Sequence, residues 1–243
     1  MKDYLKDLID HTYGLGCIEL IKVTGSATET QINAIAEDKS VIVSGVFKTP
    51  ITEFAGVFGM PNLSKLKTII SFDDYDNESV INMVTSNVNG IDIPTTIHFE
   101  TKDKSFVNDY RLMSQTIVEE KIKAVVFKGA TWNVEFEPTV AGIQRLKKQA
   151  TANNEEKYFT TKTDGSDLKI YFGEPSTHSG NFVFQPSVIG TLSKSWMWPV
   201  KEFINIMDLV GDKTVRITDA GATSITVDSG IATYTYLLPA QAK

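Results

Sequence analysis

The sequence predicts an α+β protein of two similar halves, each an antiparallel sheet with short helices on one face. Helical and strand-like stretches follow an order that restarts midway: helix, strands, helix, strands, linker, then strands, helix, strands, helix, hairpin. Each half has too few helices to bury a sheet on both faces, which favours antiparallel strands covered on one side. The chain has 243 residues and 42% hydrophobic content, enough for one or two cores. We expect domains at 1–105 and 125–243 joined by a linker at 106–124. Sequence identity between the halves is not visible, so the repeat is one of element kind and size.

The first segment is helical, with Leu5, Leu8, Ile9 and Thr12 on one face and Lys2, Lys6, Asp10 and Tyr13 on the other. Gly14 and Gly16 end it. "CIELIKVTG", "TQINAIAED" and "SVIVSGVF" alternate as strands do. In "TPITEFAGVFGMP", Thr49 caps an expected helix with Pro50 at its first position and a stripe of Ile51, Phe54, Ala55 and Phe58. "LSKLKTIISF", "SVINMVTS" and "TTIHFET" are expected strands. Thr101–Ala124 mixes charge with apolar residues without a period and is the linker candidate.

"AVVFKGATWNVEFEP" restarts the strands. Pro138 opens a helix with a stripe of Val140, Ile143, Leu146 and Ala150. "EKYFTTKTDGSDLKIYFGE" is a hairpin turning at Asp164-Gly165, and "GNFVFQPSVIG" is a strand. Pro199 starts a short helix with Val200, Phe203, Ile204 and Met207 inward. A hairpin ending in "TYTYLLPA" closes the chain.

The chemistry of catalysis is missing from this pattern. His11, His98 and His178 lie in different elements without ligand spacing, so they are expected at the surface or half-buried, and no metal or cofactor is expected. Asp73, Asp74, Asp76 and Glu78 are spaced like the start of a calcium loop but lack its glycine and its closing acid, which makes them a solvated turn. Nothing marks Cys17 as a nucleophile. Trp196 and Trp198 suit a core or helix-staple role better than base stacking. The pattern points to a binding or structural protein and not an enzyme. A single cysteine forms no intramolecular disulfide, "MKDYLKDLIDHTYGLG" is not a signal peptide, and no apolar run approaches the ~20 residues that span a bilayer. A soluble, cytoplasmic protein with no membrane partner is expected.

Net charge is −6, which argues against binding nucleic acid by affinity alone. Yet the helix after Pro138 turns Gln144, Arg145, Lys148 and Thr151 outward, with Lys147 at the boundary and no acid on that face. A solvated helix face usually mixes both signs.

The segment "FINIMDLVGDKTVRITDAGATSITVDSGIATYTYLLPA" resembles the closing segment of DNA polymerase sliding clamps of the proliferating-cell-nuclear-antigen and T-even-phage types. "VSGVFKTPITEFAGVFGM" is similar to a strand-then-helix unit of the phage clamp's first domain. The resemblance implies the DNA-clamp fold, with sheets outside and helices lining a central hole. It also implies a homotrimeric ring around double-stranded DNA, a replicative DNA polymerase and a clamp loader as partners, and, if phage-encoded, a host-cytoplasmic location. The DNA-facing candidates are Lys2, Lys6, Lys48, Arg145, Lys148 and Lys201. In such clamps a partner peptide enters an apolar pocket made by the linker and the segment near the C-terminus. Tyr110, Leu112, Met113, Ile117 and Val118 would supply one side, and Tyr236, Leu237, Leu238 and Pro239 the other. Alternatively, Leu237 and Leu238 close the second core. On the docking reading, deleting Tyr236 to Lys243 abolishes polymerase stimulation and spares the ring. The main competing reading is a phage tail or baseplate protein. A glycan hydrolase using the acids near Asp73 would need a second carboxylate that the sequence does not name.

Overall fold

A computed structural model of the chain describes residues 1–88, 90–123 and 131–241. The chain divides into two compact units, residues 1–125 with 229–234 and residues 126–228 with 235–243. Both are α+β and their sheets are antiparallel throughout the described pairings.

The first unit opens with α1 (Lys2–His11), which buries Leu5, Leu8 and Ile9. A 3-10 turn at Tyr13–Leu15 ends it at Gly16, whose φ of 72° favours a residue without a side chain. Strands β1 (Leu20–Gly25), β2 (Thr30–Ile35) and β3 (Ile42–Phe47) form a meander. Strand β4 (Gly56–Pro61) returns to the free side of β1, giving the order β4-β1-β2-β3. Helix α2 (Leu63–Ile70) follows and packs on α1. Strands β5 (Val80–Val88), β6 (Ile91–Glu100) and β7 (Val107–Arg111) make a second sheet, and α3 (Gln115–Lys121) lies against β4.

Two expected elements exchange their character here. The helix expected after Thr49 is only a 3-10 turn, Thr52–Phe54, and the chain then runs as β4. Gly56, at φ 99°, stops any helix, and pairing with β1 from Leu20–Pro61 to Gly25–Gly56 supplies the hydrogen bonds a helix would have made. Conversely "LSKLKTII", expected as a strand, is α2. Its Leu63, Leu66, Ile69 and Ile70 are buried at helical spacing. The stretch assigned to a linker contains β7, paired on β6, and α3.

The second unit contains β8 (Val134–Phe136), α4 (Val140–Ala152), β9 (Tyr158–Asp164), β10 (Asp167–Gly173), β11 (Ser179–Gln185), β12 (Met197–Pro199), α5 (Val200–Asp208), β13 (Asp212–Thr218) and β14 (Ala222–Asp228). Residues 124–130 of the strand expected from Ala124 lie outside the described residues. Strand β15 (Ala232–Pro239) ends the fold. Its residues to Tyr234 belong to the first unit and those from Thr235 to the second. The second unit's sheets run β8-β13-β14-β15 and β11-β10-β9-β12. The β9–β10 hairpin turns through Gly165 and Ser166, with Asp164 opposite Asp167 and Gly165 at φ 61°.

Helix α4 sits on β11 and β10 at Gly142, where an added Cβ would lie 2.3 Å from the Phe184 carbonyl oxygen. This close approach rotates the helix from its expected setting. Gly142 and Leu146 are buried, while Val140, expected in the core, is 77% exposed. In α5 the buried residues are Phe203, Ile206 and Met207, so Ile206 replaces Val200 and Ile204 as the deepest contact beside Phe203. Trp198, just before α5, is fully buried, and its indole Nε1–H donates to Thr161 Oγ1 at 3.0 Å.

The histidines differ from one another. His11 is buried, contrary to expectation. Its ring stacks on Tyr234 with centroids 4.7 Å apart, and Nδ1 lies 2.9 Å from the Asp7 carbonyl oxygen. The Asp7 carboxylate accepts hydrogen bonds from Tyr234 (2.8 Å) and Ser229 (3.1 Å), which fastens α1 to the start of the last strand. No local pattern shows this, because the partners stand at opposite ends of the chain. His178 is exposed.

His98, half-buried on β6, bonds Asp109 on β7 at 2.8 Å and lies 3.6 Å from Glu100. The hydrogen bond to Asp109, with the carboxylate charges, holds its imidazole above the usual range. A raised histidine pKa stabilises the fold fully below about pH 6.5, and that contribution fades as pH rises through the raised value. We expect Asp109→Asn to lower the His98 pKa in an NMR titration. Its stability deficit in urea should be larger at acidic pH than at alkaline pH. An unchanged His98 titration would exclude the pairing.

Candidate functional site

Each unit presents a pair of packed helices, α1 with α2 and α4 with α5. On α1 the expected cations are already engaged. The Lys2 ammonium donates to the Tyr75 carbonyl oxygen. Lys6 pairs with Asp10 at 2.6 Å, and that hydrogen bond and charge raise its pKa. Such an exposed i,i+4 pair contributes little to stability, but it cancels the charge locally. Asp3 is also exposed on this helix. Lys48 is exposed at the end of β3, off both helices, since no helix follows Thr49.

The neighbouring α2 is different. It contains no acid, and Lys65 and Lys67 are both exposed. Lys67 Nζ stands 5.4 Å above the Tyr13 ring, while Lys65 has no ion pair among the described residues. Sequence reading missed both lysines by assigning this segment to a strand. The signal was present in the helical spacing of Leu63, Leu66 and Ile69–Ile70, masked by the β-branched run Thr68-Ile69-Ile70.

In the second unit, Thr139 caps α4 by accepting the Gly142 N–H at 3.0 Å. Gln144, Arg145, Lys148 and Thr151 are exposed. Arg145 reaches the Val183 carbonyl oxygen at 3.4 Å, a long contact that leaves most of its guanidinium donors to solvent. Lys148 and, on α5, Lys201 are exposed with no ion pair among the described residues. Lys147 pairs with Asp208 and ties α4 to α5, so that acid is neutralised within the helix layer.

The proposed docking residues divide into core and surface. Tyr110 is 2% exposed and donates to the Pro61 carbonyl oxygen, and burial raises its phenol pKa. Val118 is fully buried on Gly59, where an added Cβ would lie 2.8 Å from Val118 Cγ2. Met113 and Gly59 exchange main-chain hydrogen bonds of 2.8 and 2.9 Å. These contacts anchor the segment on β4 and leave Leu112 and Met113 half-buried and Ile117 47% exposed.

Tyr236 and Leu238 are fully buried by the alternation of β15, while Leu237 and Pro239 are half-buried on its other face. Beyond them Ala240 N–H donates to Gly221 at 2.9 Å and Gln241 N–H to Met197 at 3.0 Å. Trp196 Nε1–H donates to the Asp219 carbonyl oxygen at 3.0 Å, and the Asp219 carboxylate gathers the Ser193 and Lys194 main-chain N–H groups. The described end of the chain is therefore pinned in the second unit. Ala242 and Lys243 lie outside the described residues.

No family model matches the sequence. No curated protein matches it either. Solved structures do. One, described as the C-terminal region of FEN-1 bound to A. fulgidus PCNA, aligns with 100% of this chain and 96% of its own at a TM-score of 0.70 and 11% identity. A crystal structure of PCNA from Thermococcus kodakaraensis aligns with 99% of this chain and 95% of its own at a TM-score of 0.64 and 11% identity. The chain has the fold of these clamps over its whole length: antiparallel sheets with few, short helices.

Proposed function

We propose that this chain is a sliding clamp of the T-even-phage type, a homotrimer that closes around duplex DNA and tethers a replicative polymerase. The observation that carries the reading is the charge on the helices of a clamp fold. In a protein of 30 acids and 24 Lys and Arg, α2 and α4 contain Lys65, Lys67, Arg145, Lys147 and Lys148 and no acid. On this reading residues 1–105 and 125–243 are the repeated clamp domains, joined by 106–124. The DNA-facing set is Lys65, Lys67, Arg145, Lys148 and Lys201, with Lys2, Lys6 and Lys48 as lesser contributors.

A closed ring holds DNA by topology, so it needs no tight phosphate grip. Each phosphate contact adds salt-dependent binding and acts as a brake on sliding. A mildly basic lining bridged by water lets the ring move, while acidic charge elsewhere repels DNA from other surfaces. Edge strands such as β7 and β11, each with one neighbour among the described residues, offer main-chain groups for head-to-tail joining of copies. The test is solution mass by light scattering over a dilution series, together with retention on circular and linear DNA. A trimer retained on circular DNA and lost from linear DNA is expected. A strict monomer or dimer at every concentration removes the topological argument.

Leu112, Met113 and Ile117 of the first unit and Leu237 and Pro239 of the second are the residues we assign to polymerase and clamp-loader docking. Deleting from Tyr236 onward would take out the buried Tyr236 and Leu238 and so confuse docking with unfolding. Point changes on the outer face of β15 separate the two. Leu237→Asp with Pro239→Asp is expected to reduce polymerase stimulation by about tenfold, the scale of losing one apolar anchor. Trimer mass should be unchanged. Full stimulation by this variant would place docking elsewhere.

A further inference from the structure

The second unit contains a cavity that neither the basic helix faces nor the outer face of β15 uses. It lies between the start of α4, the start of β13 and the end of β14, and its volume is about 490 Å³, within the usual range of ligand sites. Pro138, Val140 and Ile143 form an apolar wall. Val140 is 77% exposed there, and Val210, next to the lining residue Gly211, is 81% exposed.

The rim is anionic. Glu137, Asp212 and Asp228 line it, and the Glu137 and Asp212 carboxylates make no hydrogen bond or ion pair among the described residues. The cation on the same wall, Lys213, is turned to main chain. Its Nζ donates to the carbonyl oxygens of Leu209 at 2.5 Å and Gly211 at 2.9 Å, and burial lowers its pKa. Thr214 and Thr226 add hydroxyls to the lining. An apolar wall bordered by carboxylates, with those of Glu137 and Asp212 unpaired among the described residues, complements an apolar body that carries a positive charge, and it repels nucleic acid.

We infer that this cavity receives a segment of a partner protein in which a lysine or arginine stands beside a large apolar residue. The apolar side chain covers Val140 and Ile143, and the cation meets Glu137 and Asp212. The inference rests on the second unit alone and does not depend on ring formation.

Short random peptides displayed on phage, selected against the full chain, test it. Enriched peptides are expected to carry Lys or Arg next to Leu, Ile, Phe or Trp. They should bind the variant Glu137→Lys with Asp212→Lys about tenfold more weakly, the scale of losing a close charge pair. Val140→Asp should weaken them independently. Glu137 and Asp212 are exposed side chains outside the assigned DNA-facing set, so melting temperature and retention on circular DNA of the double variant should match the parent. Val140 shares the outward face of α4 with Gln144 and Lys148, and its variant is read by melting temperature and peptide binding alone. The proposal is overturned if no peptide is enriched, if enriched peptides lack basic residues, or if the variants bind as the parent does. Spermidine binding that is lost in the double variant, with no peptide enriched, would also overturn it in favour of a free cation.

Discussion

Reversing Lys65, Lys67, Arg145 and Lys148 to glutamate together is expected to shorten the DNA copied per polymerase binding event by at least about tenfold near physiological salt, given the steepness of multivalent phosphate attraction. In the proposed trimer the four changes would act three times over, and the proposed mildly attractive lining would become a repulsive one. A single change should have a small effect, because on the proposed reading the ring holds DNA by topology and not by any one contact. The paired variant Lys2→Ala with Lys6→Ala serves as the contrast. Lys2 is held by the Tyr75 carbonyl and Lys6 by Asp10, so removing them should change processivity far less. Primer extension on a circular template at several salt concentrations reads both, with light scattering confirming assembly. The deficit of the reversed variant should shrink as salt rises, because screening weakens repulsion too. An assembled variant with parental processivity would remove these helices from the DNA path.

Trp198→Ala is expected to cost the second unit about 3–5 kcal/mol, the usual range for truncating a buried aromatic. Trp198 is fully buried, and its indole N–H satisfies Thr161 Oγ1, whose loss leaves a buried hydroxyl unpaired. It also stands opposite Phe159 on β9 and directly before α5, so the cavity would open beneath the helix that carries Lys201. For a unit whose whole stability is on the order of 5–15 kcal/mol, that loss is large. Urea denaturation should show an early transition for the second unit, and Trp198→Phe should recover part of it. A Trp198→Ala protein with parental stability would contradict the burial and return base stacking to consideration.

Much of the fold was legible because its signals are local. The helix of α1, the hairpins around Gly165 and after β13, and the helix starts at Pro138 and Pro199 all follow from period and turn chemistry within a few residues. The α2–β4 exchange was illegible for a specific reason. Both segments are short, apolar and rich in residues that suit either state, so the choice fell to pairing of β4 with β1, which lies more than thirty residues earlier. The candidate site divided in the same way. Arg145 and Lys148 could be placed outward from helical period alone, whereas Lys65 and Lys67 depended on recognising α2. Tyr236 and Leu238 carried the right apolar character for docking, but strand alternation turned them inward.

The sequence by itself determined the charge balance, the absence of acid from α4, the turn positions and the kind of each half, because each depends on composition or on neighbours a few residues apart. Only the tertiary structure decided which residues those features leave available. Lys2 is engaged by Tyr75, His11 is stacked on Tyr234 and Val140 is left in solvent by the approach of Gly142 to Phe184. Each outcome is a contact between segments far apart in the chain. The energy of such a contact depends on distance in space, which local periodicity does not encode.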